Sequence, residues 1–417
     1  MQKNVYLRTV FAMKELLNTI LLCAVLLSFC AEGKAQDTLR TEEAVVVTPW
    51  RFSVLTCTPG TDAYAHFGHT AILLEDTVRN RNAVFNYGCF DDTQKHFVIN
   101  FMAGNTNYLL EAESLDFFLW RYGMTGNGVT RQQLNLTPTE TRRLVELLSV
   151  NIRPENQTYL YNWLYDNCTE RARDVIEAAI DGVVTYEREE ETVTVRQMLH
   201  EKLMQAPWLQ FGIDIILGEE IDKPIGKRIR MFLPDNFEAE LEEAYIEKGG
   251  ARRRLVAKAE VMQEATEKSK EVASPLSPMI VFGIVLLLTA FVLTIDVKRK
   301  RMSRWLDICL LTAQGVTGIV VAGLFFLSKH PAVDSNWMVV AYNPLFLVQA
   351  AMIAWNWKTG RATKWMKRME YANMAVMILF AVCMLCVKQW FHPAVWLMEL
   401  TLLGRGATRA LQLKVKN

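Results

Sequence analysis

Residues 161–180, YNWLYDNCTERARDVIEAAI, join an aromatic, extended-looking segment to a helical one, with Cys168 at the junction. TERARDVIEAAI carries apolar residues at helical spacing and is closed by Gly182. Asp166 or Asn167 can cap that helix, which places Cys168 in its first turn. A thiol there meets exposed N–H groups and about half a positive charge, and both favour the thiolate. The ordinary reading of such a cysteine is a small, inert packing residue. The sharper reading is a nucleophile, which needs a base within reach and a third group to orient the base.

The segments before this helix supply candidates for that base. VVVTPWRFSVLTC and TAILLED are β-rich, and AVFNYGCF follows the polar turn TVRNRN. The pattern predicts a hairpin whose first strand opens on His69, with Gly68 allowing close approach. His69 is therefore the favoured base; His66, on the preceding loop, competes, and His96 and His200 stand further off. Further on, TPTETRRLVELLSVNI has Thr137 as N-cap, Pro138 at the first helical position and Glu140 three residues after the cap. This is a capping box opening an amphipathic helix. With another strand around YLYNWLY, the spacing predicts an α+β domain.

The chain has 417 residues with 46 basic and 45 acidic side chains, a balance that shows no nucleic-acid-binding footprint. Apolar residues are unevenly spread. Basic residues Lys3, Arg8 and Lys14 precede LLNTILLCAVLLSF and AEGKAQD, which reads as a secretory signal over 1–35 cut after Ala35. Met13 would start a more compact version. A lipobox ending at Cys30 is disfavoured by Phe29, and an uncleaved anchor stays open. Of eight cysteines, Cys23 and Cys30 belong to this leader and Cys309, Cys383 and Cys386 to apolar segments. Three remain for the exported domain at 40–235. An odd number leaves at least one unpaired: Cys57 and Cys89 could bridge, and Cys168 would be left over.

Five apolar segments follow Pro278, at 279–296, 305–327, 338–355, 371–391 and 394–411, each near the length of a bilayer core. KRKRMSR (298–304), WKTGRATKWMKRM (357–369) and the tail at 412–417 are basic, whereas SKHPAVDSNW (328–337) and KQWFHP are not. That alternation predicts a cytoplasmic C-terminus and an exported soluble domain. Glu399, Arg405 and Arg409 interrupt the last segment; Glu399 is expected at the interface, and Arg409 is expected to snorkel towards the cytoplasmic face. Pro344 predicts a kink in the third segment. His330, Asn336 and Asn343 gather at the outer edge as candidate substrate-binding residues. Residues 236–278 are densely charged, with Gly249-Gly250 between two patterns, and are expected to be solvated helices forming a linker.

GHTAILLED followed by DNCTERARDVI resembles the histidine-first, cysteine-second order of circularly permuted papain-like proteins, including lecithin:retinol acyltransferase-like (LRAT-like) enzymes. More closely, LTCTPGTDAYAHFGHTAILLED, VFNYGCFD, FVINFMAGNTNYLL and YNWLYDNCTERARDVIE resemble the Bacteroidetes Lnb family. The resemblance implies a permuted papain-like periplasmic domain followed by an all-α five-helix transmembrane domain in the inner membrane. It implies lipoprotein N-acylation: an acyl chain passes from a phospholipid donor to the α-amino group of a diacylated lipoprotein, with no cofactor or metal. Cys168 carries over as nucleophile and His69 as general base and acid. No motif fixes the third residue; Asn86 on the second strand is the candidate, with Tyr87 behind it. Backbone N–H groups at the helix start are expected to hold the oxyanion. A membrane-tethered cysteine amidase or peptidase acting on cell-wall peptide is the alternative.

Overall fold

A computed structural model describes residues 48–62, 65–90, 95–189, 192–269, 274–361 and 363–415. The expected signal segment, with Cys23 and Cys30, lies outside the described residues, as does the end of the basic tail. The chain forms two compact units. The first takes in residues up to Gln94, then Asn107–Glu190 and Lys227–Lys270; the second takes in Lys95–Thr106, Glu191–Gly226 and Glu271–Asn417.

The first unit is built on antiparallel strands β1 (Trp50–Cys57), β2 (His69–Asp76), β3 (Arg81–Cys89), β4 (Asn107–Glu113), β5 (Val129–Leu134) and β6 (Thr158–Leu160). Their order across the sheet is β5-β1-β2-β3-β4-β6, with the strand Val256–Gln263 added beside β5. The β2–β3 hairpin is the one the alternation predicts, with Ile72 opposite Phe85 and Asp76 opposite Arg81. Leu55, Cys57, Ala71, Leu73, Val84, Phe118 and Val129 form an apolar core on the sheet. In the Pro138–Asn151 helix the capping box is complete. The Thr137 hydroxyl accepts from the Glu140 N–H at 3.3 Å, and the Glu140 carboxylate accepts from the Thr137 N–H at 2.8 Å. The Cys168–Ala179 helix packs against this one and against β2 and β3.

The charged stretch after residue 235 departs from the helical linker expected of it. Pro234–Glu242 is helical and Glu267–Ser269 makes a 3-10 turn, but Ala244–Lys248 and Ala251–Arg254 form a hairpin about Gly249-Gly250, and Val256–Gln263 extends the large sheet. VAKAEVMQ lies on an edge strand, where exposed charge is ordinary.

Within the second unit, four helices among the described residues are long and apolar enough to cross a membrane: Pro278–Arg299, Arg304–Leu327, Met338–Thr359 and Lys364–Cys386. The third is interrupted at Tyr342–Pro344, so that Met338–Ala341 and Leu345–Thr359 are separate helical pieces. A further helix, Pro393–Val415, carries Glu399, Arg405 and Arg409. Arg409 does not snorkel. Its guanidinium donates to Asp307 at 2.7 Å and to Glu370 at 2.9 Å. Arg405, fully buried, donates to Asp307 at 2.7 Å, Asp296 at 2.6 Å and the Ser303 carbonyl. Acids at the ends of separate helices converge on both arginines, which offsets the cost of burying them. Glu399 is also buried rather than interfacial, at 1% exposure.

Residues 95–106 and 191–226 cluster with this second unit. Ser328 donates to the Met102 carbonyl at 2.7 Å, and Asn336 donates to the Ile215 carbonyl at 2.7 Å. Arg196, buried, pairs with Asp214 at 2.9 Å and Asp222 at 2.7 Å. These are contacts between residues far apart in sequence, which composition along the chain does not reveal.

Candidate active site

Asn167, not Asp166, caps the Cys168–Ala179 helix. Its side-chain oxygen accepts from the N–H groups of Thr169 at 2.9 Å and Glu170 at 3.0 Å. Its amide donates to the carbonyls of Trp163 and Phe232, so the buried side chain is used at both ends. Asp166 instead takes a two-pronged ion pair from Arg171 at 2.6 and 2.7 Å. Two N–H groups expected to face an oxyanion are thus already occupied, and only the Cys168 N–H lies outside the cap.

The Thr169 hydroxyl lies 3.0 Å from the Thr70 hydroxyl and ties the helix start to β2. The same register sets Cys168 beside His69, the first residue of β2, which pairs across the sheet with Cys57. Gly68 makes the approach possible: a Cβ there would stand 2.6 Å from the Cys57 carbonyl, and its φ is +75°. The His69 Nε2 is 2.5 Å from the Asn86 Oδ1, so Nε2 carries the hydrogen and Nδ1 is the nitrogen left for the sulfur. Asn86, buried, donates in turn to Glu113 at 3.3 Å, and Glu113 is paired with Arg121. The structure therefore brings Cys168, His69 and Asn86 together.

Burial alone would raise the Cys168 thiol. The His69 charge and hydrogen bond, the Thr70 N–H and the Thr169 hydroxyl outweigh it and bring the thiol down to about 7. Burial pushes His69 the other way, towards the neutral ring, but the neighbouring sulfur and Asn86 hold its pKa above the ordinary value. Each group thus favours the charged form of the other, so the thiol is more readily ionised than a free cysteine. Cys57 and Cys89 are free thiols, not the bridge the cysteine count allowed, and burial pushes both upward. Cys57 lies buried in β1, whereas the Cys89 sulfur donates to the Asn86 carbonyl at 3.4 Å on β3.

Tyrosines surround the pair. Tyr122 stacks on the His69 ring with centroids 6.3 Å apart, and Tyr108 stacks on Tyr161 at 4.0 Å. Tyr108, Tyr122, Tyr159 and Tyr161 all feel the Cys168 charge, and burial holds each above the ordinary phenol range. Sequence reasoning missed this collar, together with Glu113 and Arg121. The aromatic run YLYNWLY was the available signal, and it was read only as a strand.

The other candidates lie elsewhere. His66 is buried with Nδ1 on the Asp62 carbonyl at 2.8 Å. His96 and His200 belong to the second unit, where His200 bonds Asp214 at 2.8 Å. His330, Asn336 and Asn343 are there too, engaged with backbone: His330 Nε2 with the Phe101 carbonyl at 3.0 Å, Asn336 with Ile215 and Met338, Asn343 with Val340 and Leu345.

The first unit is thus a sheet-rich domain with a thiol and imidazole side by side, and the second carries helices fit to span a membrane. Residues 41–201 match the model of the Lnb N-terminal periplasmic domain, and residues 268–417 match that of the Lnb transmembrane domain. Between them the two matches cover well over half of the chain, which is a membrane protein of the Lnb family. No curated protein and no solved structure matches it.

Proposed function

We propose that the protein is a lipoprotein N-acyltransferase acting through a thioester on Cys168. The observation that carries this reading is the thiol at the helix start beside an imidazole whose far nitrogen is held by Asn86. The chain order of histidine strand and cysteine helix supports a permuted papain-like reading of the first unit. The Pro393–Val415 helix is read as a fifth span, with the inner membrane as location and the C-terminus in the cytoplasm, in keeping with the basic loops.

In the first half-reaction the Cys168 sulfur attacks the carbonyl carbon of a phospholipid ester. The tetrahedral intermediate collapses by breaking the ester C–O bond, and the His69 imidazolium gives its proton to the departing lysophospholipid oxygen. In the second, the neutral α-amine of the diacylated lipoprotein attacks the thioester carbon. His69 accepts the amine proton, the C–S bond breaks, and an amide and free thiolate result. The tyrosine collar favours the amine by limiting water at the thioester. Both substrates are membrane lipids, a need that apolar helices in the same chain answer.

The test is complementation of a strain lacking the protein, with mass spectrometry of its lipoproteins. Wild type is expected to restore the N-linked acyl chain, and Cys168→Ala to fail while being present at normal abundance. An acyl mass on Cys168 should be trapped when the acceptor is withheld. Unchanged lipoproteins in the deletion strain would favour the cell-wall amidase reading, and full complementation by Cys168→Ala would remove the thiol from the chemistry.

A further inference from the structure

The point where a side chain at residue 88 would sit is bordered by three groups. A Cβ on Gly88 would be 3.4 Å from the Cys168 Cβ, 3.8 Å from the His69 Cε1 and 4.0 Å from the Tyr159 hydroxyl oxygen. The chain leaves this space unfilled, and Gly88, at φ +85°, stands where the β3–β4 register breaks between Asn86 and Cys89. Tyr159 itself is 7% exposed, on β6 beside β4. Its hydroxyl is buried and has no hydrogen-bond partner among the described residues. Leaving such a group unsatisfied costs about 1–3 kcal/mol, so a tyrosine kept there where phenylalanine would pack needs a reason.

We propose that the Tyr159 hydroxyl donates the hydrogen bond that stabilises the acyl oxyanion on Cys168, so that Tyr159 is a catalytic residue of both half-reactions. The proposal rests on the thioester reading above. Asn167 has claimed the N–H groups of Thr169 and Glu170, so the helix start does not supply a pair of backbone donors. Tyr159 replaces the missing one. As the sulfur bonds to the acyl carbon, the carbonyl π electrons move to oxygen, and the phenol proton, remaining on Tyr159, bonds to that oxygen. When the ester C–O bond breaks in the first half-reaction, or the C–S bond in the second, C=O reforms and the hydrogen bond weakens again, which is the differential binding that lowers a barrier. The ring is built for donation. The Arg171 guanidinium lies 3.6 Å from its centroid, fixed by Asp166, and draws electron density from the phenol. Burial keeps the hydroxyl protonated.

The test uses the purified full chain with vesicles of phosphatidylethanolamine and phosphatidylglycerol as donor and a synthetic diacylglyceryl-cysteine peptide as acceptor. Tyr159→Phe is expected to lower kcat by about 10²–10³-fold with little change in KM. Because it deletes only an unpartnered buried hydroxyl, the variant should melt at or above the wild-type temperature, and iodoacetamide should label Cys168 at the wild-type rate. Slower turnover together with a lower melting temperature and slower labelling would make Tyr159 a packing residue and overturn the proposal. Turnover within about 3-fold of wild type would overturn it as well. If Cys168→Ala is inactive in that same assay, the thioester reading survives the loss of Tyr159; if Cys168→Ala is active, both fall.

Discussion

The network around Arg405 and the site around Cys168 bury ionisable groups in opposite ways. Arg405 meets Asp296, Asp307 and a carbonyl, and Arg409 meets Asp307 and Glu370, whose carboxylate also accepts from Gln349 at 2.8 Å. Two arginines there face three carboxylates, and every one of these five side chains has a direct ion-pair partner. Around Cys168 the matching is incomplete. One imidazole faces one sulfur, the thiol sits near neutrality, and the Tyr159 hydroxyl lacks a partner among the described residues. Direct ion pairing holds helices together, whereas a thiol near its titration point beside an unpartnered donor leaves a place for reacting atoms.

The contrast is broken most severely at Arg405. Arg405→Ala leaves Asp296 buried without a cation and Asp307 with Arg409 alone, and is expected to cost about 3–5 kcal/mol, seen as a lower unfolding midpoint in detergent. Arg405→Met, with Asp296 and Asp307 replaced by Asn, should recover much of that loss. A midpoint unmoved by Arg405→Ala would mean that the network contributes nothing to the bundle.

At the other site the next largest effect is kinetic. Asn86→Ala frees the His69 ring to rotate and leaves its Nε2–H without an acceptor, and kcat should fall by about 10²-fold. The unfolding midpoint should move far less than for Arg405→Ala. Equal losses of stability at the two positions would erase the distinction between the two sites.

The smallest effect is a titration. With the thiol lowered to about 7, Cys168 becomes thiolate as pH rises through that value, so its alkylation by iodoacetamide should increase with a midpoint there. One unit below, about a tenth of the thiol is ionised. Because the shift comes from His69 working against burial, His69→Ala should move the midpoint upward. A midpoint that stays in place would separate the thiol from the ring.

Much of the local structure was legible. Thr137, Pro138 and Glu140 spelled a helix start because a capping box is a contact among residues three apart. The β2–β3 hairpin followed from alternation and a polar turn. Val256–Gln263 was misread because its partner, β5, lies more than a hundred residues earlier, and an exposed edge strand shares its composition with a solvated helix. Arg409 was misread for the same reason: Asp307 and Glu370 are distant in sequence and adjacent in the bundle.

The sequence by itself determined which groups could do chemistry, namely a cysteine at a helix start, a histidine opening a strand, and apolar runs of membrane length. These are properties of short segments, fixed by backbone periodicity and by the chemistry of single side chains. Only the tertiary structure decided which groups stand together: Asn86 behind His69, Asn167 rather than Asp166 at the cap, and Tyr159 and Cys168 both bordering Gly88. Distances between strands, and the burial that shifts a thiol or strands a hydroxyl, arise when distant segments pack, and no local pattern encodes them.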